Sequence, residues 1–211
     1  MEIACQKLEF DALERLSEVL ADAFRNDPVV NVTFQHHHEN QALMLFMLKY
    51  FNQFGEIHST QDFSGVALWL PPDVQFLSIT DALTTRIFKN FLPVLRAVSW
   101  RSFMKLSQFS FYTSPKHPHE PHYYLFAIGV RSDQQGRGIG KHLMQYAVRK
   151  FGENQLYYLE NSNRNNLPFY RGLHFNVKAE GEFRGAKLFF MTRQNGTASQ
   201  QKKSPSESGA R

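Results

Sequence analysis

The chain is poor in cysteine, in long apolar runs and in acidic residues along one stretch, and each shortage excludes something. Its 211 residues contain one cysteine, Cys5. A single thiol rules out an internal disulfide and a cysteine-based zinc site, and it suits a reducing, cytoplasmic compartment. No apolar run approaches the roughly 20 residues of a membrane span; Ala42–Leu48 comes nearest and is short. Glu2, Lys7, Glu9 and Asp11 interrupt the N-terminal apolar residues, unlike a signal peptide. Between Val74 and His119 six basic residues stand against Asp81 alone, so this segment matches the whole formal charge of +5. It contains no nucleic-acid-binding module and reads as a solvated basic face. Three consecutive histidines, 36–38, cannot all face one metal from regular structure and read as a polar loop; no metal site is expected.

What is present is organised around residues 123–151. An apolar run, Tyr123 to Val130, leads into Gly136, Arg137, Gly138, Ile139, Gly140 and Lys141. Beyond it Ile139, Leu143, Met144, Ala147, Val148 and Phe151 recur on one helical face. The stretch therefore reads as strand, glycine turn and helix N-terminus. The first amides of such a helix lack intrahelical partners, and the dipole adds positive charge there. With Arg137 and Lys141 they make a site for a phosphate or pyrophosphate. The spacing is neither the dinucleotide fingerprint, because position 141 is Lys, nor a P-loop, because His142 follows Lys141.

The remaining periodicities predict a weak edge strand over 1–10 and a helix over 12–25, started by Asp11 with Glu14 and stopped by Asn26-Asp27-Pro28. A second helix is expected over about 39–54, then strands 56–60 and 65–70. A helical insertion, about 78–112 and broken near Pro93, is rich in aromatic and basic residues. It reads as a packed insertion, a lid over an acceptor pocket or an amphipathic membrane-surface helix. Thr113–Pro121 is expected to be a loop, 122–130 a strand, 156–160 a strand, 167–171 a short helix, and 175–179 and 187–192 strands. The tail 194–211, all polar or small, is expected to be disordered. The class is mixed α/β with a mostly antiparallel sheet, in one domain over 1–193.

Gln135, Gly138 and Gly140 fit Gln/Arg-x-x-Gly-x-Gly/Ala, and the chain resembles the GNAT N-acetyltransferase family in this acyl-CoA loop. A second block supports the likeness: Asn163, Tyr170 seven residues on, and Phe175, with His174 where the family usually has Gly. That departure is expected to alter the backbone after the short helix. Further stretches, Glu120–Leu125, 159–162, 166–171, Val66–Trp69 and Met191–Arg193, resemble the puromycin N-acetyltransferase-like branch.

The resemblance implies the GNAT acyl-CoA N-acyltransferase fold and acetyl-CoA as co-substrate, without a metal. It implies direct acetyl transfer to a primary amine on a small molecule, such as an aminonucleoside-type antibiotic. It implicates the backbone of Ile128, Gly129 and Val130 along the pantetheine, Gly129 leaving room for that arm. Gln135, Gly136, Arg137, Gly138, Ile139, Gly140 and Lys141 take the pyrophosphate. Asn163 and Asn166 either bond the pantetheine or cap the short helix. Tyr170 is the expected general acid, because a phenol with an ordinary pKa of about 10 is protonated at neutral pH. Glu160 either deprotonates the amine, orients its ammonium or bonds the 161–166 turn; His122 and Glu120 are expected to lie far from the cleft. A protein or peptide acetyltransferase and a non-catalytic acyl-CoA-binding regulator are the alternatives, and a homodimer is left open.

Overall fold

The computed structural model describes residues 2–4, 7–74, 94 and 96–194. Cys5, the insertion over 75–93 with residue 95, and the tail from 195 lie outside the described residues. Seven strands form one sheet in the order β1-β2-β3-β4-β5-β7-β6. They are β1 (Ile3–Ala4), β2 (Glu56–Thr60), β3 (Gly65–Leu70), β4 (Tyr123–Val130), β5 (Tyr157–Asn161), β6 (Asn176–Phe183) and β7 (Ala186–Arg193). β4 and β5 pair parallel and every other pair is antiparallel.

The helices are α1 (Phe10–Ala23), α2 (Pro28–Thr33), α3 (His37–Phe54), α4 (Trp100–Thr113), α5 (Ile139–Phe151) and α6 (Leu167–Arg171). α1 and α3 bury Leu16, Leu20, Leu48 and Phe51 against one face of the sheet, with Val66 and Leu68. α5 and α6 bury Leu143, Met144 and Tyr170 against the other, with Trp69, Tyr157 and Leu159. Apolar side chains at helical spacing, removed from water, supply the main drive for both layers.

Four elements differ from the sequence expectation. α1 starts at Phe10 behind Glu9, which makes no side-chain cap, so Asp11 lies inside the first turn. Asp27 does not merely stop a helix: its carboxylate accepts from the amides of Val29 and Val30 and starts α2. The histidine run is not a loop, because the Glu39 carboxylate accepts from the amide of His36 and α3 begins at His37. The last two strands are longer than the apolar runs, since Arg184 (φ 52°) and Gly185 (φ 86°) close a tight hairpin between them. Positive φ at both central residues is what a two-residue hairpin turn requires.

One irregularity shapes the centre of the sheet. On the β3 side, Leu68 faces Ala127 but Trp69 faces Leu125, leaving Phe126 as an extra residue. This β-bulge shifts the alternation of side chains. Leu125, Ile128 and Val130 belong to the α5 face, whereas Phe126 and Ala127 both belong to the α3 face. On the β5 side, pairing runs from Tyr123↔Tyr157 only to Leu125↔Leu159. Beyond that point β4 and β5 part, and the opening begins at the bulge.

Candidate active site

The glycine turn lies at the open end of β4. After a short 3-10 turn, Ser132–Gln134, the chain passes through Gly136 (φ 76°) and Gly138 (φ 80°). Both take left-handed conformations that other residues reach at a cost, and a Cβ on either would point into open space. The first intrahelical bond of α5 runs from the His142 amide to the Gly138 carbonyl, 2.9 Å. The amides of Ile139, Gly140 and Lys141 therefore precede the hydrogen-bonded helix. Arg137 and Lys141 are exposed beside them. Arg131 is engaged with Asp133 through two bonds of 2.7 and 2.8 Å. Gln135 donates to the Val130 carbonyl at 3.1 Å. Outward amides and two free-standing cations suit a pyrophosphate.

Gly129 is constrained by packing, whereas Gly140 is in ordinary contact with its neighbours. A Cβ on Gly129 would stand 3.0 Å from Ala23 Cβ and from Leu20 Cδ2, so its missing side chain admits α1 rather than a pantetheine arm. This corrects the reason given above for a glycine there. A Cβ on Gly140 would meet the Phe169 ring at 3.4 Å. Phe169 thus brings α6 against the start of α5, and with it Tyr170.

Tyr170 is 7% exposed and packs near Phe175 on the α5 face. Burial, and then the negative charge of Asp27, push its phenol well above the ordinary range. Asp27 is a residue that sequence reasoning missed. It accepts a hydrogen bond from the Ser162 hydroxyl just past β5, and burial raises its pKa against that bond and those of Val30 and Val29. The Asp27-Pro28 pair carried the signal, an N-cap before a first-turn proline, but the same pair also ends helices.

Glu160 occupies the opposite face, because it alternates with Leu159 along β5. Its carboxylate accepts from Tyr124 Oη at 2.7 Å and Tyr158 Oη at 3.1 Å, and His117 Nε2 lies 3.2 Å from Oε1. Burial, with the Glu160 charge next, raises both phenols. The His117 ring rests on Tyr158 and Tyr124, centroids 4.4 and 4.7 Å away. His122, expected far from the cleft, is one step removed: its Nε2 is 3.2 Å from His117 Nδ1. Glu120 contributes its backbone carbonyl to His122. Around these groups Val29 and Val32 of α2, Phe109 and Tyr112 of α4, Phe183 and Phe190 form an aromatic wall with Tyr124 and Tyr158. α4 lies over this face of the sheet.

The asparagines have local uses. Asn163 Oδ1 accepts from the Asn165 amide at 3.0 Å and caps a 3-10 turn, while Asn166 precedes α6 without a side-chain cap. His174 has φ 66°, the conformation a glycine would take. A residue with a Cβ is strained in that conformation. Among the described residues no group of three or more His, Cys, Asp or Glu side chains is placed to hold a metal, and no helix is long and apolar enough to cross a membrane.

Residues 105–175 match the sequence profile of the acetyltransferase (GNAT) family. An uncharacterised N-acetyltransferase of Schizosaccharomyces pombe is 25% identical over 195 residues, covering 82% of this chain and 74% of the relative. A Corynebacterium glutamicum structure described as histone acetyltransferase HPA2 and related acetyltransferase superposes with a TM-score of 0.63 at 18% identity, over 94% of this chain and 99% of that one. Arylalkylamine N-acetyltransferase 2 of Aedes aegypti superposes with a TM-score of 0.58 at 17% identity, over 92% and 99%. The structures share the fold, and the profile runs through the parting strands, the glycine turn and the Tyr170 helix, so the chain has the GNAT acyltransferase fold and carries the family's profile over residues 105–175.

Proposed function

We propose that the chain transfers acetyl from acetyl-CoA to the primary amine of a small, aromatic molecule. The observation that carries this reading is the placement of one carboxylate, Glu160, beneath an aromatic wall at the parted strands. A carboxylate ringed by Tyr124, Tyr158 and Phe190 suits an ammonium attached to a flat apolar body. Likeness to an arylalkylamine N-acetyltransferase supports the acceptor class, and the puromycin-like stretches support an aminonucleoside among its members.

In this reading acetyl-CoA supplies a thioester, whose thiolate is a good leaving group from the acetyl carbon. The amides of Ile139, Gly140 and Lys141, with Gln135, Gly136, Arg137 and Gly138, hold its pyrophosphate. The backbone of Ile128, Gly129 and Val130 lines the pantetheine, and the unpaired edge of β4 offers donors to the carbonyl oxygen. Tyr170, kept protonated by burial, gives its proton to the departing thiolate. Glu160 receives the acceptor ammonium and takes its proton. Asn163 and Asn166 shape the turn that delivers Tyr170. The enzyme works in the cytoplasm, without a covalent intermediate.

The test is release of free CoA across aromatic amines including puromycin, aliphatic amines and peptides. Turnover confined to aromatic amines is the expected result. Turnover with peptides alone contradicts it, and binding of acetyl-CoA without turnover makes the chain a non-catalytic regulator.

A further inference from the structure

The hydrogen bonds running outward from Glu160 have a fixed direction. His122 Nδ1 is 2.9 Å from the Glu120 backbone carbonyl, which can only accept, so Nδ1 carries a proton. In a neutral imidazole Nε2 is then the acceptor. His117 Nδ1, 3.2 Å away, must therefore be the donor to it. This leaves Nε2 of a neutral His117 bare, 3.2 Å from Oε1 of Glu160. Two lone pairs face each other there, and one proton between them makes the chain complete. The arrangement is a slot for a single proton, ordered from a backbone carbonyl at one end to a carboxylate at the other.

We propose that His117, locked in one tautomer by His122, shares with Glu160 the proton that the acceptor amine must lose. The inference rests on the acceptor reading of Glu160 given above. The bookkeeping closes with it. The acceptor arrives as an ammonium and gives one proton to the Glu160–His117 slot. Its freed lone pair forms the nitrogen–carbon bond to the acetyl carbon, and the carbon–sulfur bond breaks. Sulfur takes the Tyr170 proton, and the second proton leaving nitrogen restores Tyr170. One proton per turnover remains in the slot and must reach water.

The surroundings provide that exit. The His117 side chain is 27% exposed, and a pocket of about 350 Å³ opens beside it, lined by Lys116, Pro118, Glu120 and Tyr158. The charged and titratable groups around the pair are Glu160, Tyr158 and Tyr124 on the strands, Lys116, His119 and Glu120 on its own segment, and Lys178 across the pocket. Burial, opposed by the Glu120 carbonyl bond, lowers the His122 pKa, with the His117 charge adding to that direction. His122 is thereby favoured in its neutral form, as suits a residue that positions His117 through the 3.2 Å contact between the rings.

Two measurements test the proposal on the full chain. Nitrogen-15 NMR of the histidine rings at alkaline pH is expected to show the Nδ1–H tautomer for both His122 and His117; an Nε2–H tautomer on His122 overturns the chain. The pH profile of kcat/KM for CoA release is expected to show an acidic limb in the wild type. His117→Gln keeps an N–H toward Glu160 but cannot take a proton, and is expected to lose about 10²-fold in rate together with that limb. Added imidazole is expected to restore part of the rate in His117→Gly. A His117→Gln enzyme with the wild-type profile overturns the role of His117 while leaving the acetyltransferase reading intact. Absence of amine-dependent release in the wild type defeats that reading instead, and the NMR result then decides the tautomer chain by itself.

Discussion

The Ser162 hydroxyl donates to the Asp27 carboxylate, joining the end of β5 to the start of α2. Asp27 also caps α2 through the amides of Val29 and Val30, at 2.9 and 3.1 Å. Its pKa is raised by burial despite these bonds. A carboxyl raised on folding binds protons more readily in the native state, so at neutral pH its charge opposes stability. Asp27→Asn retains a capping oxygen and removes that charge; its urea midpoint at pH 7 is expected to equal or exceed wild type. Asp27→Ala loses the cap and is expected to cost about 1–2 kcal/mol. Equal destabilisation by both would mean that the charge itself holds α2.

Glu39 governs the acid limb of stability. It is 1% exposed and accepts from the amides of Ser99 (2.7 Å), Gln35 (2.8 Å) and His36 (3.2 Å) and from the Ser102 hydroxyl (2.9 Å). Burial works to raise its pKa, and these donors outweigh burial and hold it at about 2, against an ordinary 4.5. A depressed carboxyl stabilises fully above its unfolded value and loses that contribution as pH falls through the native one. The loss is expected between about pH 4.5 and 2 and is on the order of 3 kcal/mol. Urea midpoints followed over that range are expected to fall more steeply for wild type than for Glu39→Gln. Parallel curves would contradict the assignment. The same carboxylate anchors α4 to α3 through Ser99 and Ser102, so the variant also reports on the helix that lies over the Glu160 face.

His174 occupies a left-handed position with φ 66°. A residue with a Cβ is strained there, whereas glycine is not. His174→Gly is expected to stabilise the fold by on the order of 1 kcal/mol, read from thermal unfolding. A loss of stability would show that the His174 side chain does something its backbone does not reveal.

The limits of sequence reading follow from the same physics. β2 and β3 were legible to the residue because apolar runs bounded by turn signals fix both ends. The glycine turn was legible because a chain reversal into a helix N-terminus leaves glycines at fixed spacing, two of them at positive φ. The start of α3 was not, since it rests on Glu39 accepting from the amides of Gln35 and His36, and the polar histidines there carry no apolar periodicity. The β6–β7 hairpin was cut short because Lys178, Glu180 and Glu182 face solvent and interrupt the apolar signal. The bulge at Phe126 left no mark, because an extra apolar residue in an apolar strand looks like any other. His117 read as loop for the same reason: what defines it is Glu160, which lies 43 positions away and meets it only in the fold.

The glycine turn makes a separate claim on acetyl-CoA affinity. Gly138 has φ 80° with open space around its α-carbon, so Gly138→Ala acts through the backbone alone. The left-handed form costs an alanine roughly 1–2 kcal/mol. If that strain is relieved by turning the α5 amides, acetyl-CoA binding measured by calorimetry is expected to weaken about tenfold or more. Unchanged affinity would separate the turn from the pyrophosphate.

The central claim is acetyl transfer with Tyr170 as acid, and one comparison tests it most directly. Amine-dependent release of CoA is measured for wild type and Tyr170→Phe, with acetyl-CoA affinity measured alongside. The buried ring is preserved in the variant and only the proton donor is lost. A fall in kcat of about 10²-fold with unchanged acetyl-CoA affinity is the expected result. A variant that turns over like wild type would contradict the account.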